Sequence, residues 1–197
     1  LGIVTFDDVM DVAEEEVTED FQKANAVTPL KRSYWEANPW TLVKSRVGWL
    51  TVLILVNLIS SAVIGMFETT LSANLVLAYF IPMLIATAGN TGSQSSSMMI
   101  RGLSTGEIEL GQWLRVLGKE LVVGMAIGLL MGGMGFALGF FRGGPTMGLV
   151  VFATLVSLLV ISNLIGILLP FLLIRFRQDP AIASGPLITS LADAVGL

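Results

Sequence analysis

Long runs without a charged residue constrain this chain more than any other feature of its sequence. Residues 47–67 and 69–100 contain no Asp, Glu, Lys or Arg, and residues 121–141 and 147–174 are equally free of charge. A bilayer core is about 30 Å thick and takes about 20 apolar residues to cross as a helix, in which all backbone groups bond internally. We therefore predict an all-α, multi-span membrane protein, in keeping with a composition that is only 13% charged.

The predicted spans are about 47–67, 75–100, 121–141, 147–174 and 184–197. The last is incomplete, because the 12 residues from Pro186 to Leu197 are too few to cross a bilayer. Cations concentrate in the cytoplasmic loops of membrane proteins. With a cytoplasmic N-terminus, ten of the eleven cations lie inside and only Arg142 lies outside. We expect this topology in the cell membrane.

The second span differs in composition from an ordinary membrane helix. The run IPMLIATAGNTGSQSSS places Pro82, Gly89 and Gly92 in its interior, with Asn90 between the two glycines. Proline removes a backbone donor and glycine weakens a helix, and loosened backbone survives at membrane depth only against protein or a water-filled cavity. These four residues are predicted to line a pore at a broken helix. The alternative is a kinked helix that serves only packing.

The third span carries two stripes of small residues: Gly124, Gly128 and Gly132, then Gly135 and Gly139. Such stripes let two helices approach closely, so the pattern favours packing over a functional role. The glycines and proline at Gly143, Gly144 and Pro145 then predict a tight turn over residues 142–146, between the third and fourth spans.

Asp193 lies deep in the last predicted span. It follows Ser184, where a helix could begin, by nine residues, or roughly 14 Å of depth, which is near the membrane midplane. The surrounding apolar sequence holds no cation to pair with it, so an ion from outside the chain is a natural partner. Gly185, Thr189, Asp193 and Gly196 share one small, polar stripe, as expected of a pore wall. The alternative is that Asp193 caps a neighbouring helix or forms a hydrogen bond with it.

The chain has no Cys and no His, which leaves oxygen ligands for any metal ion. Oxygen-only sites suit hard cations such as Mg²⁺ or Ca²⁺. The sequence contains no phosphate-binding Gly-Lys loop, so nucleotide-driven transport is not expected. A nucleic-acid partner is not expected either.

Eight of the fifteen acidic residues lie between Asp7 and Asp20, in a segment that is predicted to be helical from Asp7 to Ala24. A short strand is predicted before it, over Leu1–Phe6. Asp8, Asp11, Glu15 and Glu19 share one helical face, and Glu16 and Asp20 pair on the next face. Like charges at this spacing destabilise a helix. The segment is therefore either a solvated acidic face or part of a divalent-cation site to which a second surface contributes oxygens.

A basic and aromatic linker, residues 29–46, connects the acidic segment to the first span. Its cations are accompanied by Tyr34, Trp35 and Trp40, and aromatic residues beside basic ones mark a membrane–water interface. Membrane lipid is the expected partner here, although an ordinary amphipathic connector makes almost the same prediction.

The runs IPMLIATAGNTGSQSS and DPAIASGPLITSLADAVG together resemble the MgtE family of magnesium transporters and channels. LKRSYWEANPW followed by RVGWL is similar to that family's entry into its first span. LGIVTFDDVMDV resembles the end of a CBS domain, and EEEVTEDFQK resembles the connecting, or plug, helix. The resemblance divides the chain into a CBS remnant (1–6), the plug helix and linker (7–46) and the transmembrane pore domain (47–197).

The resemblance implies a homodimer with five spans per protomer and a pore on the two-fold axis, lined by the second and fifth helices. Asp193 matches the family's Mg²⁺-binding pore aspartate. Gly185 and Thr189 match pore-lining positions at which the family can carry Asn and Ala. The family's cytosolic Mg²⁺-sensing acids map onto these positions: Asp8, Asp11, Glu16, Glu19, Asp20 and Asp179.

The expected function is passive Mg²⁺ transport into the cytoplasm, with no enzymatic activity. A proton-coupled divalent-cation transporter would use Asp193 as its titrating group instead. An intramembrane aspartyl protease needs two acids at membrane depth, and this chain offers only Asp193 clearly at that depth. A dimer could supply the second acid, but the sequence contains no accompanying catalytic motif. A purely structural anchor is disfavoured by the polar second span.

Overall fold

The computed structural model describes residues 3–30, 34–183 and 185–196, and this part of the chain is helical without a β-strand, as predicted. The helices are α1 (Phe6–Ala24), α2 (Pro39–Met66), α3 (Glu68–Ala73), α4 (Leu75–Ser104), α5 (Trp113–Arg175) and α6 (Gly185–Gly196). Short 3₁₀ turns cover Leu110–Gln112 and Pro180–Ile182. Within the described ranges, three helical segments are long and apolar enough to cross a membrane: Pro39–Met66, Leu75–Ser104 and Leu110–Arg175.

Helix α5 is a hairpin of two helical arms, 113–143 and 145–175. Its 63 residues would span roughly 95 Å if straight. The chain reverses at Gly144, whose φ of 79° and ψ of −171° are not helical and suit a residue without a Cβ. Across the turn, a Cβ built on Gly139 of the first arm would lie 2.9 Å from the Gly148 Cα of the second arm, so the arms run antiparallel in close contact. The predicted tight turn is confirmed.

The glycine stripes of the first arm are buried against the second arm. Their members are Gly124, Gly128, Gly132, Gly135 and Gly139. A Cβ on Gly128 would lie 3.1 Å from the Val156 Cα, which is closer than an ordinary van der Waals contact. Because the neighbouring atom belongs to the backbone, it cannot move aside as a flexible side chain can. The packing interpretation of these stripes is therefore confirmed.

Helix α4 lies at the centre of the bundle. It runs parallel to the second arm of α5, where Phe80 packs on Val151 and Leu155 and Met99 packs on Ile167. It runs antiparallel to α6, against which Ala88 packs on Ala192. Because α4 contacts both elements along its length, it sets the position of α6 relative to the hairpin.

The prediction that the second span is broken is wrong, since α4 is one continuous helix with Pro82 inside it. Both of its threonine hydroxyls bond within the helix: Thr87 Oγ1 donates to the Met83 carbonyl at 2.7 Å and Thr91 Oγ1 to the Thr87 carbonyl at 2.9 Å. Local hydrogen bonds of this kind satisfy polar side chains without opening the backbone. The polar and small residues thus accommodate close neighbours on an intact helix.

The strand predicted over Leu1–Phe6 is also wrong in the residues that can be judged, since 3–5 are irregular and Phe6 begins α1; Leu1 and Gly2 lie outside the described residues. Thr5 Oγ1 accepts a hydrogen bond from the Asp8 N–H at 3.3 Å, and Asp8 Oδ2 accepts one from the Thr5 N–H at 2.8 Å. This capping box fixes the start of the helix. The acidic helix itself is confirmed, because α1 ends at Ala24 as predicted.

Helix α2 begins eight residues before the charge-free run, at Pro39, with Asn38 as its N-cap. The Asn38 side chain accepts a hydrogen bond from the Trp40 N–H at 3.0 Å, and proline favours the first helical turn. The connection between the first two predicted spans, residues 68–74, contains the short helix α3. A charge-free run therefore marks the apolar part of a helix, whereas capping residues decide its ends.

Candidate ion site

Two glycines of α4 bring α6 into close contact with the centre of the bundle. A Cβ built on Gly89 would lie 2.8 Å from Thr189 Cγ2, and one on Gly92 would lie 2.8 Å from Ile188 Cγ2 and 3.0 Å from the Ser162 carbonyl oxygen. Cβ atoms essentially never approach other heavy atoms this closely. The absence of side chains at both positions is thus what lets α6 pack where it does.

Asp193 follows Ala192, which packs on Ala88 near the middle of α4, 13 residues after Leu75 and 16 before Ser104. Asp193 therefore lies beside the middle of α4. Its Oδ1 atom is buried, and no residue in the described part of the chain donates a hydrogen bond to that oxygen. A buried carboxylate oxygen without a donor is costly, and a bound cation would remove that cost.

Hydroxyl groups of α4 hold the start of α6. Ser93 Oγ donates to the Gly185 carbonyl at 3.2 Å and lies 3.4 Å from Thr189 Oγ1. One turn further, the buried Ser96 Oγ donates to the Ala183 carbonyl at 3.0 Å. The predicted residues Gly185 and Thr189 thus meet at Ser93, on the side of α6 that faces α4. Sequence reasoning did not assign either serine to the site, because no sequence pattern distinguishes these two hydroxyls from those that bond within α4.

The predicted pore-lining residues of α4 fall on two faces of the helix. Gly89 and Gly92 are buried, whereas Pro82 and Asn90 are exposed in the single chain. Gln94 lies one turn beyond Asn90 and is exposed as well. A partly polar face of α4 is therefore left uncovered in the single chain.

A buried polar cluster joins α4 to both arms of α5. Asn163 Nδ2 donates to the Glu120 carbonyl at 2.8 Å and to Glu120 Oε2 at 3.0 Å, and Ser95 Oγ donates to Asn163 Oδ1. Asn163 is 1% exposed. The cluster satisfies the polar residue that interrupts the predicted fourth span, so Asn163 fixes the register of three helical segments. Sequence reasoning missed Glu120 because it is the last residue of the polar segment 101–120, just before the third predicted span.

The acidic side chains of α1 do not converge on a metal-sized site of their own. In residues 3–30, 34–183 and 185–196, no three acidic side chains lie close enough together to hold a metal ion. The exposed members of the predicted sensing set are Asp8, Asp11, Glu16 and Asp20. Hydrogen bonds from the Thr5 side chain and backbone lower the pKa of Asp8, which is the third residue of α1 and the partner of the N-cap Thr5 in the capping box.

Glu19 and Asp179, which the sequence analysis placed in one sensing set, meet at a single cation. That cation is the ammonium of Lys23, whose Nζ lies 2.5 Å from Glu19 Oε1 and 2.6 Å from Asp179 Oδ2. Asp179 also caps the turn before α6, where its Oδ1 accepts a hydrogen bond from the Ala181 N–H at 2.9 Å. Sequence reasoning missed Lys23, although its i, i+4 spacing from Glu19 was a visible signal.

The ion pair shifts the pKa values of both Asp179 and Lys23. Partial burial acts to raise the pKa of Asp179, but hydrogen bonds from Lys23 and the Ala181 N–H lower it below its ordinary 3.8. Hydrogen bonds to Asp179 and then Glu19 raise the pKa of Lys23 above its ordinary 10.5. The contribution of Asp179 to stability is therefore present above pH 3.8 and lost as the pH falls through its lowered pKa. That of Lys23 is present below pH 10.5 and lost as the pH rises through its raised pKa.

Replacing Lys23 by Met is expected to raise the pKa of Asp179, because burial is then opposed only by the Ala181 N–H. The measurement is the ¹³C shift of the Asp179 carboxyl carbon against pH in detergent, in both proteins. An unchanged titration midpoint would contradict the contact.

The comparisons with known proteins cover the elements that build this site. The model of the MgtE family, described as divalent cation transporter, matches residues 81–197, from within α4 to the end of α6. The chain belongs to the MgtE family. Both motifs that carried the resemblance lie inside or at the edge of the matched range, and the MgtE resemblance of the sequence is confirmed.

Named MgtE relatives match almost the whole chain. It is 43% identical over its full length to the magnesium transporter MgtE of Thermus thermophilus and 35% identical to that of Bacillus subtilis. It is 31% identical over 98% of its length to the magnesium transporter MgtE of Enterococcus faecalis. The chain spans 44%, 44% and 42% of the lengths of these relatives. The matches to MgtE transporters therefore include α1 and α2 as well as the candidate ion site.

Proposed function

We propose that the protein to which this chain belongs carries Mg²⁺ passively into the cytoplasm through a pore on the two-fold axis of a homodimer. The observation that carries the proposal is the buried Asp193 Oδ1, which lacks a donor in the described residues and lies beside the middle of α4. The magnesium transporters among its relatives support the choice of ion. This activity agrees with the expectation of a transporter and not an enzyme.

Mg²⁺ dehydrates reluctantly and is usually bound through one or two carboxylates while it keeps several waters. A two-fold axis turns one Asp193 into two facing carboxylates, whose summed charge balances the ion without stripping its hydration shell. The hydroxyls and carbonyl near Thr189, Ser93 and Gly185 are suitable hydrogen-bond partners for those waters. Pore width and water-mediated geometry would then discriminate against larger cations.

The exposed polar face of α4 supports a two-chain pore. Asn90 and Gln94 are exposed in the single chain, next to the face that packs on α6. A second protomer would enclose these side chains together with water, as polar membrane surfaces require. The five-span topology with a cytoplasmic N-terminus is part of this proposal, with α6 as the start of the fifth span and the two arms of α5 as the third and fourth.

Regulation by cytosolic Mg²⁺ is proposed for α1. This helix touches the Pro180–Ile182 turn through Lys23 and Asp179, and α6 begins three residues after that turn. A cation shared by Glu19 and Asp179 would hold α1 beside the entrance to the fifth span. In this role α1 acts as a gate of the channel. The cation shifts the equilibrium between the closed and open states of the gate only by the difference in its affinity for the two states. The other sensing positions, Asp8, Asp11, Glu16 and Asp20, would need oxygens from surfaces outside the described residues.

Flux measurements on the full-length protein test the proposal. In liposomes, Mg²⁺ entry is expected to follow the Mg²⁺ gradient and the membrane potential, which supplies about 2.3 kcal/mol per charge for 100 mV. Entry should persist when a protonophore removes the pH gradient at clamped potential. If it stops, the proton-coupled transporter replaces the channel. If no Mg²⁺ enters under any gradient, magnesium transport itself is refuted.

A further inference from the structure

We propose that Lys23 is a tethered cation that occupies the Glu19–Asp179 pair and competes with the divalent cation for it. The inference rests on the regulatory role proposed for α1. It adds a residue that sets the Mg²⁺ concentration at which the gate responds.

The geometry makes the occupancy exclusive. The Lys23 Nζ atom is 2.5 Å from Glu19 Oε1 and 2.6 Å from Asp179 Oδ2, so the ammonium lies directly between the two carboxylates. A directly bound Mg²⁺ would need its oxygen ligands at about 2.0–2.1 Å, and a hydrated one needs still more room. Lys23 must therefore leave this position before a divalent cation can be shared by the same two oxygens.

The charges favour exchange when Mg²⁺ is abundant. Two carboxylates and one ammonium leave a net charge of −1, whereas the same carboxylates around Mg²⁺ are neutral. The Lys23 side chain is 27% exposed and its acidic partners are 44% and 33% exposed. Ion pairs with this much solvent contact contribute little to stability, so the ammonium does not lock the gate by itself. As a competitor, however, it raises the Mg²⁺ concentration needed to fill the site.

The exchange occurs at a point that is mechanically connected to the pore helix. Asp179 caps the Pro180–Ile182 turn, and Ala183 then accepts the hydrogen bond from the buried Ser96 of α4. Asp193 lies 14 residues after Asp179 along the same segment. Whichever cation Asp179 holds thus determines how α1 is attached to the segment that leads into α6.

The experiment compares full-length protein carrying Lys23→Gln, Lys23→Arg or Lys119→Gln. Lys119 is exposed, so its replacement makes the same change in net charge away from α1. Two quantities are measured against cytosolic Mg²⁺: half-maximal protection of α1 from chymotrypsin at Phe21, followed by mass spectrometry, and half-maximal inhibition of Mg²⁺ flux. Phe21 is 71% exposed in the described chain and offers a cleavage site close to Lys23.

Lys23→Gln is expected to lower both half-maximal Mg²⁺ concentrations about fivefold, because the competing charge is gone. Lys23→Arg, which keeps the cation, and Lys119→Gln should respond like the parent protein. An unchanged or higher Mg²⁺ requirement in Lys23→Gln overturns the inference, and so does loss of protection at every Mg²⁺ concentration, which would show that Lys23 only supports the structure.

A fourth variant separates this inference from the proposal beneath it. Glu19→Gln combined with Asp179→Asn removes the shared site and should abolish Mg²⁺ protection of α1 and weaken inhibition of flux. If this double variant stays fully inhibited, the regulatory role of the pair fails, and the competition by Lys23 fails with it. If it loses inhibition while Lys23→Gln behaves like the parent protein, only the role of Lys23 fails.

Discussion

Asp193→Ala is expected to reduce Mg²⁺ flux through the full-length protein to the level of empty liposomes. The substitution removes both facing carboxylates of the proposed dimer and leaves only neutral oxygens for a divalent ion. Asp193→Asn keeps the shape but not the charge, so flux should fall by about tenfold or more, since charge-assisted contacts are lost. Glu107→Gln, at an exposed loop carboxylate, is the control and should conduct normally.

Stability measurements separate a lost ion site from a lost fold. Asp193 Oδ1 has no donor in the described residues, so a neutral amide in place of the carboxylate removes the cost of a buried charge. Asp193→Asn should therefore melt in detergent at the same temperature as the parent protein or higher. Normal flux in both Asp193 variants, with equal amounts of protein in the liposomes, would refute the pore assignment.

The largest effect on stability is expected at Gly166, where the second arm of α5 meets α4. A Cβ there would overlap the Gly92 carbonyl oxygen and lie 3.1 Å from both the Gly92 carbonyl carbon and Ser95 Cβ. Because backbone atoms cannot turn away, Gly166→Ala should destabilise the protein by about 1–3 kcal/mol, and Gly166→Leu should prevent assembly. Thermal melting and the yield of monodisperse protein in detergent measure both effects.

Gly133 provides a matched control on the same hairpin. A Cβ built at Gly133 meets no described atom within 4 Å, apart from its own helix backbone and chain neighbours. Alanine is the better helix former by about 1 kcal/mol, so Gly133→Ala should leave the melting temperature unchanged or raise it. If Gly166→Ala and Gly133→Ala melt alike, the close approach of α4 and α5 is wrong.

The candidate site was predictable to the extent that it depends on rare residues. Asp193 stands out because a carboxylate is costly inside an apolar run, and Glu19 belongs to the acidic face of α1. Asp179 entered through the resemblance to the MgtE family. The contacts that join these residues to the bundle were not predictable. Lys23 and Asp179 are 156 positions apart, and Ser96 and Ala183 are 87 apart. Such pairs depend on how helices pack, which no local pattern encodes.

The outcome at α4 shows the limit of local propensity. Proline, glycines and hydroxyls each disfavour a helix in isolation, and together they predicted a break. In the folded chain, Gly89 and Gly92 admit α6 and α5 at short range, and the threonine hydroxyls bond to their own helix. The packing that becomes possible outweighs the weak intrinsic penalty, so the helix stays intact.

The sequence alone determined the long apolar helices, the turn at Gly144, the glycine-mediated closeness of the hairpin arms and the isolation of Asp193. These depend on short-range quantities: the cost of burying charge, the backbone freedom of glycine and the spacing of residues along a helix. Only the tertiary structure decided which helix each glycine faces, that α4 is unbroken and that Lys23 lies between Glu19 and Asp179. Those outcomes depend on the mutual fit of segments distant in sequence, where the position of one helix sets the contacts of the next.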